Sequence, residues 1–260
     1  INLYGLDKCG TAEDRQDICQ RFYSDMEYNT VIHLAAKVRV GESVNKPTLY
    51  YDTNINGTLN ILDCVNYHNF VFASTGAASN PVSPYGYSKR VAEDIVAEKC
   101  YDYTIFRFYN VTGTDGFPAT NPDGLFYNLA EAARIGEFNL YGTDYDTKDG
   151  TCIRDYIHVC DIAHAHTLAL QFSIKQNTEN ACEVFNLGTG NGITVLEAIH
   201  AFEKVSGVRL NYEVGPRRAG DIVAIYANND KALKQLGWKC KYGLEEMMHT
   251  AWQWEQSLAK

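Results

Sequence analysis

Tyr85 and Lys89 stand four residues apart in Ser83-Pro84-Tyr85-Gly86-Tyr87-Ser88-Lys89, a spacing that puts a phenol and an ammonium on one face of a helix. A free phenol, with a pKa near ~10, is a poor base at neutral pH. An ammonium held beside it favours the phenolate and brings it toward working range as a proton acceptor. Just upstream, the apolar run Phe70-Val71-Phe72-Ala73 ends in Ser74-Thr75-Gly76, so the Thr75 hydroxyl stands at a strand end where it can bind the same substrate oxygen. A Tyr-x-x-x-Lys spacing alone is usually solvated surface helix. The strand ending in Ser-Thr-Gly is what gives it weight.

The elements that must carry these groups alternate. A helix is predicted from Tyr85 to about residue 99, with Val91, Ile95 and Val96 on its apolar side and charges opposite. Residues 1–7 read as a short strand closing on an acidic residue, residues 30–36 as a β-branched strand ending in small residues, and residues 103–108 as a strand followed by Tyr109-Asn110. A helix is expected from about residue 54 to 67. Strand and helix in alternation mean βαβ units, hence a parallel sheet covered on both faces, an α/β doubly wound fold of Rossmann type. Small or polar residues gather at the strands' carboxyl ends (Ala35-Ala36, Ser74-Thr75, Asn110), where open α/β sheets bind ligands.

From about Gly113 the texture turns to Gly, Asp, Asn and Pro with shorter regular pieces. Thr194-Val195-Leu196-Glu197 reads as a capping box opening a helix that Gly207 stops, and a last aromatic-rich helix is expected over residues 244–258. The expected organisation is a Rossmann domain over residues 1–112 and a smaller α/β substrate-binding domain over 113–260, interleaved with the first. No glycine-rich turn joins a first strand to a first helix, where a pyrophosphate would meet a helix N-terminus. Gly188-x-Gly190-x-Gly192 comes far too late and reads as a turn.

At 260 residues with 45% hydrophobic content, the chain can bury a sizeable core. A net charge of −9 without long runs argues against nucleic acid and against anionic membrane surfaces. No apolar stretch reaches membrane-spanning length, and the first residues do not read as a signal peptide. The eight cysteines show no Cys-x-x-Cys pairs. They read as reduced, mostly buried thiols of a cytoplasmic protein, with no metal site expected.

Nearly the whole chain, from about Asp14 to Ser257, closely resembles the UDP-glucose 4-epimerase family of the extended short-chain dehydrogenase/reductases. The first block of the resemblance comprises Val31-Ile32-His33-Leu34-Ala35-Ala36, Val40-Gly41-Glu42-Ser43-Val44 with Lys46-Pro47, and Tyr50-Tyr51-Asp52-x-Asn54-x-Asn56-Gly57-Thr58. The second comprises Asp144-Tyr145-Asp146-Thr147-x-Asp149-Gly150-Thr151 with Arg154-Asp155-Tyr156-Ile157-His158-Val159. Phe185-Asn186-Leu187-Gly188-Thr189-Gly190 and Arg217-Arg218-x-Gly220-Asp221 complete the set. The Asp-Gly-Thr to His-Val block separates this family from most of its relatives.

The resemblance implies a two-lobed enzyme in which a tightly bound NAD serves the interconversion of UDP-galactose and UDP-glucose. Tyr85 would remove the proton from the sugar 4-hydroxyl while C4 gives hydride to the nicotinamide. The 4-keto sugar would then rotate and take the hydride back on its other face. Lys89 would bond the nicotinamide ribose and keep Tyr85 acidic, and Thr75 would bind the same oxygen. Ala35, Ala36 and Asn54 fall on the cofactor side, with Asp7 toward the adenosine ribose and Asp14 beside adenine. Asn110 and Asn128 resemble nucleotide-sugar contacts, Tyr141 the aromatic that packs on uracil, Arg154 and Arg218 diphosphate ligands, and Asp221 a ribose ligand. Paired guanidinium groups suit a diphosphate and an aromatic face suits a base. Ile225 stands where the family faces the sugar's C2 substituent, and a homodimer is implied.

The chain departs from the family pattern in four places, one of them the lack of a strand or more after Asp7. It lacks the Gly-x-x-Gly-x-x-Gly opening, it is short between Ser79 and Ser83, and the family's lysine after the small strand end is displaced, with Val38 flanked by Lys37 and Arg39. The expectation is a longer native chain with the turn upstream. Sister activities remain open: an N-acetylhexosamine or pentose 4-epimerase, or a dehydratase, which Gly76-Ala77 after Thr75 disfavours. So does a non-catalytic nucleotide-sugar binder.

Overall fold

The computed structural model describes residues 6–7, 14–15, 17–116, 124–176, 182–218 and 221–258. They divide into two compact units, the first Ile1–Arg107 with Leu170–Phe185 and the second Phe108–Ala169 with Asn186–Lys260.

The first unit is built on a four-stranded sheet ordered Glu27–His33, Asn66–Thr75, Tyr103–Phe108, Cys182–Leu187. Glu27–His33 runs parallel to Asn66–Thr75, with Val31 opposite Phe70 and His33 opposite Phe72. Phe70, Phe72 and Ile105 are buried against Ile61, Leu62, Ala92 and Val96 from the helices. Alternating strands and helices with parallel pairing are the α/β fold expected.

The boundaries differ in instructive ways. The strand expected over 30–36 begins at Glu27 and ends at His33, so Leu34, Ala35 and Ala36 lie beyond it. The helix expected at about residue 54 starts at Pro47, whose fixed φ and missing N–H suit a first turn. It passes through one π-helical turn, Asp52–Asn56, and continues as Gly57–Cys64. Val65 is extended and the strand Asn66–Thr75 begins at once. The helix Pro84–Lys99 stands where expected, but Val91 is 41% exposed. Val96 is buried as expected, and beside it the buried face holds Tyr85, Ser88, Lys89, Ala92 and Glu93.

The second unit uses short pairings. Asn110–Thr112 runs parallel to Tyr156–His158, Ile153–Arg154 lies between Ile193–Thr194 and Ala224–Ile225, and Phe138–Tyr141 pairs with Tyr212–Gly215. Its core packs Phe126, Leu129, Leu140, Tyr156, Ile199, Phe202, Met247 and Met248. The predicted capping box is formed: Thr194 accepts from Glu197 N and Glu197 reaches back to Thr194 N. Gly207 ends that helix in the left-handed region, φ 70°. The last helix is Leu244–Leu258.

Candidate active site

Ser83 caps the helix Pro84–Lys99, its hydroxyl accepting from Gly86 N at 3.2 Å, and Pro84 fills the first turn. Tyr85 is thereby fixed at the helix start. A Cβ on Gly86 would stand 3.0 Å from the Ala77 carbonyl oxygen, so glycine lets this turn approach the 3-10 turn Gly76–Ala78. Thr75 caps that turn through Ala77 N, and a side-chain hydrogen bond joins Thr75 to Tyr85. Strand end and helix start thus place two hydroxyls together, as the spacing suggested.

Burial pushes the Tyr85 phenol above its ordinary value, and the Thr75 hydrogen bond opposes the rise. Lys89 is buried, its Nζ 4.0 Å from the centre of the Phe72 ring. Burial pulls its ammonium down to about 7 and the Glu93 carboxylate opposes the fall. Thr75 is thus the neighbour that opposes the rise in the Tyr85 phenol. Tyr50, which the sequence offers as part of a motif without a role, packs edge-on against Tyr85 at 6.4 Å and donates to Glu42 Oε2 at 3.0 Å.

Ala35 and Ala36 lie past the carboxyl end of Glu27–His33, Ala35 exposed and Ala36 half-buried. Asn54 is fully engaged beneath them: its Oδ1 accepts from Lys37 N at 2.8 Å, and its Nδ2 donates to Lys37 O and to Ser88 Oγ. Ser88 Oγ donates to Tyr85 O at 2.8 Å. Asn54 therefore ties the loop after the strand to the Tyr85 helix. His33 is buried, and burial with the Lys89 charge lowers its pKa to about 3. Thr58 uses its own proton on Asn54 O, so His33 Nε2–H donates to Thr58 Oγ1 at 3.1 Å. Asp7 and Asp14 belong to two-residue strands, Leu6–Asp7 and Asp14–Arg15, paired in parallel. Their side chains lie outside the described residues.

The second unit gathers five of the predicted residues. Arg154 donates to Ile153 O and Ile222 O at 2.8 and 2.9 Å and pairs with Asp221 at 3.3 Å. Arg218 pairs with the same carboxylate at 2.9 Å and lies 5.4 Å above the Tyr141 ring. Ile225 stands opposite Arg154 in register. Asn110 opens the neighbouring pairing, its N–H donating to Asp155 O at 2.9 Å and its side chain exposed. Asn128, half-buried on the helix Leu125–Ile135, is joined to this group by no hydrogen bond or ion pair among the described residues. Gly220 lies outside the described residues.

Asp155 lies in the Arg154-to-Val159 motif, where the sequence gives it no role. Its buried carboxylate accepts from Thr189 N, Thr189 Oγ1, Gly190 N and Ala227 N at 2.6–3.0 Å. Gly188 explains the late glycine cluster, because a Cβ there would stand 2.4 Å from Asp155 Oδ2. No spacing announces partners so distant in sequence.

The sequence profile of the family described as GDP-mannose 4,6 dehydratase matches residues 10–251. The chain is 37% identical over 265 residues to UDP-glucose 4-epimerase 2 of Oryza sativa subsp. japonica, covering 90% of this chain and 65% of that protein. It is 36% identical over 278 residues to the bifunctional UDP-glucose 4-epimerase and UDP-xylose 4-epimerase 1 of Pisum sativum, covering 95% and 79%. The chain thus spans about two thirds of the rice protein's length. Among solved structures it is similar to UDP-glucose-4-epimerase from Stenotrophomonas maltophila with bound NAD and formylated UDP-arabinopyranose. That similarity has a TM-score of 0.80 at 35% identity and covers 89% of this chain and 77% of the other.

Proposed function

We infer the function from one premise, that the chain belongs to the UDP-glucose 4-epimerase family of extended short-chain dehydrogenase/reductases. The reaction we assign is the NAD-dependent interconversion of UDP-galactose and UDP-glucose by reversible oxidation at sugar C4. The observation that carries it is the Tyr85 phenol hydrogen-bonded to Thr75, on the helix face it shares with buried Lys89.

The residues present fit NAD. Small Ala35 and Ala36 leave the carboxyl end of a parallel strand uncovered, Asn54 holds the loop beyond it, and Lys89 is a buried donor on the Tyr85 face. When bound, NAD supplies the acceptor and donor of the C4 hydride. Tyr85 takes the proton of the 4-hydroxyl and later returns it, Thr75 holds the same oxygen, and Lys89 places a positive charge on that face. Arg154 and Arg218 take the diphosphate, Tyr141 the uracil, Asp221 the ribose, with Asn110 and Asn128 as further contacts. The support is that Tyr141, two guanidinium groups and a carboxylate already lie together in the second unit. No helix among the described residues is long and apolar enough to cross a membrane. We assign a cytoplasmic homodimer, supported by thiols that are free among the described residues and by exposed apolar side chains on first-unit helices.

Tyr85→Phe tests the assignment. Conversion of UDP-galactose should vanish while UDP binds as before, because the lost hydroxyl acts on the sugar alone. Full turnover in that variant, measured by a coupled assay for UDP-glucose, would defeat the reading. Nucleotide released on denaturing the wild-type protein should chromatograph as NAD.

A further inference from the structure

Glu93 lies one helical turn beyond Lys89, so Tyr85, Lys89 and Glu93 form one column on the Pro84–Lys99 helix. Glu93 is 4% exposed, in the class of charges that are buried only when paired. Its partners come from two strands. Arg107, at the end of the strand Tyr103–Phe108, donates Nε to Oε1 at 3.0 Å and Nη2 to Oε2 at 2.5 Å. Ser74, the residue before Thr75, donates its hydroxyl to Oε1. Arg107 Nη1 also donates to Ser79 Oγ at 3.2 Å, and Ser79 closes the 3-10 turn that Thr75 opens. The network therefore grips the backbone on both sides of Thr75 and anchors it to the helix that bears Tyr85.

We propose that Glu93 is a positioning residue for the epimerase reaction, its buried carboxylate holding the Thr75 strand end in register with Tyr85 and Lys89. This deepens the assigned function and rests on it. The carboxylate touches no reacting atom in that scheme. It acts by fixing the distance at which the Thr75 and Tyr85 hydroxyls meet, and a small displacement of such groups is costly in rate. It also supplies the negative charge nearest Lys89 along the helix. Around Lys89 stand Tyr85 and Glu93 on its own helix, the Phe72 ring and His33, which is neutral; Glu93 is the anion among them, and its charge together with the Phe72 ring face favours the ammonium.

The test compares Glu93→Gln with Ser74→Ala and with the control Arg90→Gln, which breaks an exposed ion pair with Asp94 on the same helix. The whole native protein with its bound nucleotide is used, with UDP-galactose as substrate. Glu93→Gln keeps the shape and removes the charge, so kcat should fall by about tenfold or more with KM and UDP affinity within about twofold. The alkaline limb of the kcat profile should move to lower pH, because Lys89 then loses its proton more easily. Ser74→Ala leaves the Glu93–Arg107 pair intact and should lower kcat alone, by about threefold. Arg90→Gln should change neither. Wild-type kcat and pH profile in folded Glu93→Gln would overturn the proposal. So would losses in kcat and KM that merely track a lowered Tm. If Glu93→Gln fails to fold, wild-type kcat in Ser74→Ala overturns it. Absence of turnover in the wild-type protein would defeat the epimerase assignment itself, a result distinct from these.

Discussion

Two buried charges on single side chains set the most direct expectations. In the nucleotide-free protein, Lys89 titrates near 7, below its ordinary 10.5. The unfolded chain therefore binds a proton that the folded one has released across the interval between those values. Stability must rise with pH there, by up to about 1.4 kcal/mol per pH unit. The raised thiols, Cys100 and Cys240 among them, begin to work against it above their ordinary 9. The window to examine is thus about pH 7 to 9. Urea unfolding of nucleotide-stripped wild type should show the rise, and Lys89→Met should flatten it. Equal slopes in the two proteins would mean that Lys89 keeps its proton in the fold. Asp155 makes the second case. Asparagine there would turn an N–H toward donors that now share a carboxylate, leaving buried groups unpaired at a cost of about 1.5–3 kcal/mol. Gly188→Ala should be comparably damaging, because its Cβ would stand 2.4 Å from Asp155 Oδ2. Unfolding midpoints within error of wild type for both would remove Asp155 as the organising acceptor.

At the scale of elements, the strand Ala224–Ile225 is the place where substrate choice is expected to be set. Ile225 is half-buried beside Arg154 in register, and we propose that it faces the sugar's C2 substituent. Isoleucine lacks the reach of a phenol yet is β-branched and stiff. Overfilling a packed pocket costs about 1–3 kcal/mol, roughly ten- to a hundredfold in relative rate. UDP-galactose should be preferred, with weak turnover of UDP-N-acetylgalactosamine. Ile225→Ala should narrow the gap in kcat/KM and Ile225→Tyr should widen it. Flat ratios across the series would remove Ile225 from the sugar pocket. Elements with local signals were legible in the sequence: the run from Tyr85 to about residue 99 as a helix, Thr194 with Glu197 as the capping box, and Gly207 as its stop. The π-turn Asp52–Asn56 was not, since its bonding pattern has no compositional signature. Val91 was misplaced because the helix buries a polar column, and a periodicity argument that seeks an apolar face has no means of seeing Glu93 paired with Arg107. Arg154, Arg218 and Asp221 were recognised singly. Asp221 bridges Arg218, three residues away, to Arg154, 67 residues away, and no local signal announces the second pairing.

On the scale of the whole molecule, the exposed face of the Tyr85 helix bears on assembly. Tyr87 and Val91, four apart, are 52% and 41% exposed, and Val44, Leu49 and Tyr51 on the first unit's shorter helices are also exposed. Single exposed apolar residues need no explanation, but several on helices packed against one another fit a covered surface. A two-fold dimer presents each residue of its interface twice, so one buried charge there is introduced in duplicate. Val91→Glu, on the side of the helix away from buried Lys89, should weaken a homodimer roughly tenfold or more, the scale of one well-packed interface side chain. Sedimentation velocity across a micromolar dilution series should then show the variant as monomer where the wild type is still dimer. The variant's Tm extrapolated to high dilution should match the wild type's, because Val91 contributes little to the interior. A variant that sediments as a dimer with wild-type affinity would move the interface off this helix face.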